Sequence, residues 1–182
     1  MIEREIKLRF DSPEDARAAI LAAGATPIRC RRLQEDALLD TDDETLRGRR
    51  CVLRIRTEAG KSLLTFKGPV QSGTMKVRDE YETVVADGEV LLRVLEELGL
   101  HVWFRYEKYR EEYAAEDVTI ALDETPVGTF VEIEGGESGI EAMTLALGRS
   151  AADFILDSYR GLFIQHRERH GLGHDHMVFQ EE

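Results

Sequence analysis

The sequence predicts an α+β protein whose antiparallel strands close into a barrel or tunnel, an eight-stranded one with helices packed outside. Three observations lead there. About eight segments alternate apolar and polar residues with the period of a strand, against three or four with helical periodicity. Most connections are short enough to join antiparallel neighbours. Charge occupies one face of nearly every strand and apolar residues the other, so helices must cover the apolar faces while the charged ones can look inward.

The elements follow in order. Ile2–Phe10 alternates as a strand. Ser12 is an N-cap and Pro13 a first helical residue, opening a helix that buries Ala16, Ala19, Ile20 and Ala23 and closes at Gly24. Residues 33–41 read as a second strand, 42–48 as a polar turn and 51–57 as a third strand. Ala59-Gly60 forms a hairpin turn into 62–67, which Gly68-Pro69 ends. A connection over 69–74 leads to a long strand, 75–85. Residues 88–98 form a helix with Val90, Leu91, Val94, Leu95 and Leu98 on one face, of which Leu91, Val94, Leu95 and Leu98 are assigned to the core. Strands follow at 100–113, 117–123 and 128–134, then helices at 138–147 and 151–164. The reading is one domain over 1–165 and a polar, His-containing C-terminal tail over 166–182, solvated and mobile.

Composition narrows the function. A net charge of −12 and a pI near 4.9 argue against nucleic-acid binding. Cys30 and Cys51 offer neither a disulfide framework nor zinc spacing. With no membrane-length apolar run and no signal pattern at Met-Ile-Glu-Arg-Glu, the expectation is a cytoplasmic protein without a membrane partner.

The charged faces are organised by type. They carry Glu3, Glu5 and Lys7; Arg54 and Arg56; Thr65 and Lys67; Lys76, Arg78, Glu80 and Glu82; Lys108 and Arg110; Asp123; Glu132 and Glu134. Exposed strand faces usually mix such charges with Thr, Ser, Gln and Asn, which are scarce here. Convergent Arg and Lys suit a ligand with several phosphates. Carboxylates alone would repel that ligand, so divalent cations must lie between, as Mg²⁺ or Mn²⁺ does with carboxylate and phosphate oxygens.

These residues resemble a known family. Glu3-Arg4-Glu5-Ile6-Lys7 matches the ExExK signature of the CYTH superfamily, the triphosphate tunnel metalloenzymes. Leu39-Asp40-Thr41, Leu53-Arg54-Ile55-Arg56, Leu64-Thr65-Phe66-Lys67-Gly68-Pro69, Arg78-Asp79-Glu80-Tyr81-Glu82, Glu107-Lys108-Tyr109-Arg110, Leu122-Asp123-Glu124 and the run from Gly128 to Gly135 follow in the family's order, and Ser158-Tyr159 is similar to its closing segment. The resemblance implies an eight-stranded tunnel acting on a small-molecule triphosphate with Mg²⁺ or Mn²⁺, two per active site. It assigns Glu3, Glu5, Glu80, Glu82, Asp123, Glu132 and Glu134 to metal. Lys7, Arg54, Arg56, Lys67, Arg78, Lys108 and Arg110 go to phosphate, and Glu5, Lys7 and Glu134 to catalysis.

Among the family's chemistries, hydrolysis of inorganic triphosphate or a simple organic triphosphate ranks first. A class IV adenylate cyclase is the alternative, but the His-Phe pair that such cyclases carry ahead of ExExK is replaced by Met1-Ile2. Thiamine triphosphatases carry a Trp just before the Arg pair, where this chain has Cys51, Val52 and Leu53; Trp103 is assigned to core or helix packing instead. A non-catalytic polyphosphate-binding module is a third reading, and so many acids argue against it. Tyr159 is read either as a cap on the tunnel or as core, Arg160 as a surface residue and His166, His170, His174 and His176 as solvated. A homodimer is left open.

Overall fold

The computed structural model describes residues 2–180. Eight strands form the barrel: β1 (Ile2–Phe10), β2 (Thr26–Thr41), β3 (Val52–Glu58), β4 (Lys61–Lys67), β5 (Lys76–Val85), β6 (Leu100–Ala115), β7 (Val118–Thr125) and β8 (Gly128–Gly135). The helices are α1 (Pro13–Ala22), α2 (Thr45–Gly48), α3 (Gly88–Glu97), α4 (Glu137–Ala146) and α5 (Tyr159–His170). The sheet closes in the order β1-β5-β4-β3-β2-β6-β7-β8, and every pairing is antiparallel.

Local chemistry sets the boundaries. The Ser12 side chain accepts from the Asp15 N–H and Pro13 opens α1, as the sequence indicates. The β3–β4 turn places Ala59 and Gly60 at φ 49° and 74°, the left-handed pair that a two-residue hairpin needs. Side chains alternate across each strand. Ile6, Leu8, Ile120 and Ile133 point outward and are sealed by Ile20 of α1 and Ile140 of α4. Glu3, Glu5, Lys7, Glu132 and Glu134 therefore face in.

A second apolar cluster closes one end of the barrel. Phe104, Tyr106 and Phe130 pack there against Tyr159, Leu162 and Phe163 of α5. β7 pairs only with the second half of β6, from Tyr109 onward. The open edge of the first half is patched by the C-terminal segment: Met177 N–H donates to the Arg105 carbonyl at 3.0 Å, and Glu107 N–H donates to the Met177 carbonyl at 2.8 Å.

That packing corrects four expectations. The tail is not a solvated coil: α5 runs through His166 to His170, Gly171 caps it at φ 63°, and Met177 is fully buried. His174 and His176 lie against Phe163 and Phe104. The helix expected over 151–164 is instead a 3-10 turn, Ala151–Asp153, an extended stretch in which Ile155 bridges to Lys7, and then α5. Ser158 restarts the helix by accepting from the Gly161 N–H. The second strand begins at Thr26, seven residues earlier than expected, where Arg29 and Arg32 pair with Glu58 and Glu112 on the neighbouring strands β3 and β6. In α3 no residue is buried; Val90, Val94 and Leu98 are exposed, because the apolar stripe is wider than the sheet surface it covers. Tyr81, on the outer face of β5, is also open to solvent.

Among the described residues no helix is long and apolar enough to cross a membrane.

Candidate active site

The charged stripes converge on an internal cavity of about 850 Å³. Every site residue predicted from the sequence lines it except Asp123. The barrel register explains the grouping. Glu5 pairs with Glu134 and Lys7 with Glu132 across β1–β8, Lys67 with Glu80 across β4–β5, and Arg110 with Asp123 across β6–β7.

One wall is rich in acid. Glu3 accepts from Lys67 at 2.6 Å and from Arg78 at 2.8 Å, and Lys67 also reaches Glu80 at 2.7 Å. Glu5 accepts from Lys76 at 2.8 Å. Glu134 makes no ion pair or hydrogen bond among the described residues. Solvent reaches it through the cavity, yet the surrounding protein displaces much of its water. That desolvation, with the like charges of Glu3, Glu5 and Glu80, pushes its carboxyl up to about 7.

The opposite wall is a dense ionic lattice. Arg56 forms a fork onto Asp36 at 2.9 and 3.2 Å. Arg54 donates to Thr65 at 3.1 Å, and Thr65 donates to Glu82 at 2.7 Å. Arg54 Nε lies 3.4 Å from Asp36 but misaligned, which leaves a buried donor without an acceptor. Asp123 is fully buried behind the lining, held by Lys108 at 2.8 Å, Arg110 at 2.5 and 2.6 Å and the Tyr159 hydroxyl at 2.5 Å. Glu132 accepts from Arg110 and pairs with Lys7 at 3.0 Å. Burial alone would raise Glu132, but Lys7, Lys108 and Arg110 outweigh it and hold the carboxyl well below its usual range. Burial and Arg110 bring Lys108 down to about 8. Burial and Asp123 push the Tyr159 phenol well above its ordinary value, so it keeps its proton and donates.

Tyr159 therefore caps the lumen, with Lys7 and Lys108 at 4.6 and 4.8 Å from its ring centroid. Lys76, already on the charged faces read from the sequence, lines the cavity together with Gln34, Glu58 and Glu112, which that reading does not include, and Asp36 stands behind the lining on Arg56. Strand parity could have found Gln34 and Asp36, which share a face of β2. Trp103 packs against the second apolar cluster, as expected, and in addition lines the cavity, with Arg47 and Arg160 against its ring. The β-bulge that turns it, between the Leu38–Phe104 and Leu39–Val102 pairs, leaves no mark in the residue types.

Among the described residues no three metal-ligating side chains stand preassembled; the lumen bases already engage most carboxylates. The donor set nevertheless suits a hard divalent cation. It is all carboxylate oxygen, and burial together with the gathering of four acids pushes one of them up to about 7.

Fold and site together define a class: a closed antiparallel tunnel barrel with an ion-paired lumen. The chain belongs to the CYTH domain family, whose model matches residues 1–154. It is 32% identical over 141 residues to "Putative adenylate cyclase MJ0240" of Methanocaldococcus jannaschii, covering 77% of this chain and 80% of that one. Among solved structures, PH1819 from Pyrococcus horikoshii superposes with a TM-score of 0.74 at 28% identity, over 90% of this chain and 98% of that one. The fold is also shared with a Hippeastrum protein, HpAC1, at a TM-score of 0.68 and 21% identity, over 92% and 96% of the two chains. That protein is described as a "putative adenylyl cyclase" with a dominant triphosphatase activity.

Proposed function

We infer that the chain is a metal-dependent hydrolase of inorganic triphosphate or a simple organic triphosphate. The observation that carries this reading is one cavity in which Glu3, Glu5, Glu80 and Glu134 crowd one wall while Arg54, Arg56 and Lys108 are buried in the other. Such a cavity neutralises a phosphate chain only with cations on the acidic side.

Glu3, Glu5 and Glu134, assisted by Glu80 and Glu82, would hold Mg²⁺ or Mn²⁺. When bound there, the cation supplies the charge that lets carboxylate and phosphate share the lumen, and it acidifies the attacking water. The chain's own groups do the rest. Arg54, Arg56, Lys67, Arg78, Lys108 and Arg110 orient the phosphates and stabilise charge on the equatorial oxygens during in-line attack on the terminal phosphorus. Lys7, raised by Glu132 and Glu5 against its burial, keeps its proton and fixes Glu132. Asp123 serves from behind the lining: it holds Lys108 and Arg110 in place.

The second reading is an adenylate cyclase, in which the ribose 3′-hydroxyl attacks the α-phosphorus of ATP and pyrophosphate leaves. The name of the M. jannaschii relative favours it. A phosphate-release panel with inorganic triphosphate, thiamine triphosphate and ATP, each with Mg²⁺ and with Mn²⁺, separates the two when cyclic AMP is assayed alongside. Orthophosphate is the expected product; cyclic AMP as the main product from ATP would overturn the hydrolase.

A further inference from the structure

The phosphate-binding groups lie inside the barrel, but the cavity continues past them to a mouth of different chemistry. There the indole of Trp103 lies against two guanidinium groups, with Arg47 at 4.3 Å and Arg160 at 4.8 Å from the ring centroid. Two aliphatic side chains that stay open to solvent line the same cavity, Val70 at 38% and Leu156 at 42% exposure.

The two ends of the cavity balance their charge differently. Near the β3–β4 hairpin, Arg29 and Arg32 each reach both Glu58 and Glu112, so those charges cancel within the chain. At the Trp103 end Arg47 is tied to the buried Asp40 at 3.0 Å and to the exposed Glu44 at 3.3 Å, while Arg160 makes no ion pair or hydrogen bond among the described residues. Partial burial and the like charges of Arg47 and Arg167 act on it, against the weaker pull of Glu44. A guanidinium without an ion-pair partner, held beside an aromatic ring, leaves a planar face open to a ligand ring.

We propose that this mouth is a subsite for an uncharged planar heteroaromatic group carried on the outer end of the triphosphate, as in a purine nucleoside triphosphate. Trp103, Arg47 and Arg160 form its stacking wall and Val70 and Leu156 its apolar flank. The assignment rests on the triphosphate reading of the lumen and decides which triphosphates fit best. A bare phosphate chain would use the arginines but gain nothing from the indole or the aliphatic flank. A cationic ring such as a thiazolium would meet two guanidinium charges. A neutral purine satisfies both features, stacking on a guanidinium face and covering Val70 and Leu156.

Trp103 is the single Trp of the chain, so its fluorescence reports on this mouth alone. The intact protein is titrated in Mg²⁺ with the β,γ-methylene analogue of ATP and separately with inorganic triphosphate, and binding is followed in parallel by calorimetry. The analogue is expected to quench Trp103 saturably. Inorganic triphosphate alone leaves the emission unchanged, yet it displaces the analogue and restores the signal. Arg160→Gln should weaken the analogue by about fivefold or more, the scale of one lost stacking contact, and leave inorganic triphosphate within about twofold. Analogue binding without a change in Trp103 emission would overturn the subsite. So would equal weakening of both ligands in Arg160→Gln, which would make that arginine a phosphate ligand. Binding of inorganic triphosphate but not the analogue sinks the subsite alone, whereas failure of both ligands to bind refutes the triphosphate reading and the subsite with it.

Discussion

Replacing Glu134 by Gln removes the charge that the lumen tolerates least. A rise from the ordinary 4.5 to about 7 corresponds to about 3 kcal/mol between the charged and neutral forms. Because solvent reaches this carboxylate, screening reduces the effect on stability to about 1 kcal/mol. The sign follows from linkage: an acid whose folded value is raised binds its proton more tightly when folded. The metal-free wild type therefore gains stability as the pH falls from about 7 toward 4.5, and carries the full repulsion above about 7. Glu134→Gln has no such charge to lose. In chelator at pH 8 it should melt about 2–4 °C above wild type, and near pH 4.5 the gap should close. Added Mg²⁺ at pH 8 should stabilise wild type more than the variant. Thermal melts at the two pH values, with and without metal, measure all of this. A variant that melts at or below wild type at pH 8 in chelator would refute the carboxylate-crowding argument.

Other outcomes follow from the same contacts. Asp123→Asn leaves Lys108 and Arg110 buried beside a neutral amide and should cost about 3–5 kcal/mol in a urea titration, as broken buried pairs do. Met177→Ala, at a fully buried position in the C-terminal segment, should cost about 2–5 kcal/mol by the same assay; a near-zero cost would mean that the segment is not docked. Glu5→Gln should abolish phosphate release at saturating metal. Arg56→Ala should raise the Michaelis constant well before it lowers kcat, and an unchanged constant would exclude Arg56 from phosphate binding.

The lumen was legible in the sequence because strand parity is rigid. Once Glu3 faces inward so do Glu5 and Lys7, and a closed sheet carries that choice from neighbour to neighbour. What escaped depends on departures from parity or on contacts distant in sequence. Trp103 sits in a bulge, so alternation along β6 does not give its direction. Asp36 lies within the expected strand 33–41, but Gln34 and Leu38 on either side of it on that face dilute the charge signal. The apolar stripe of α3 reads as core, yet amphipathicity records only that a face could be buried, not how much sheet lies beneath it. The C-terminal segment is polar by composition; Met177 is buried because β6 leaves an edge that β7 does not reach.

That patched edge constrains how the protein comes to be made. Strand pairing alone leaves a seam beside the first half of β6, and the residues that stitch it, His176 through Phe179, are synthesised about sixty residues after that strand. Until they emerge from the ribosome, the nascent barrel keeps a slit along one flank through which water reaches Phe104 and Tyr106. An unbroken flank beside β6 thus forms only after the barrel strands have been made, and clipping within residues 171–180 would unzip it without touching a single lumen charge.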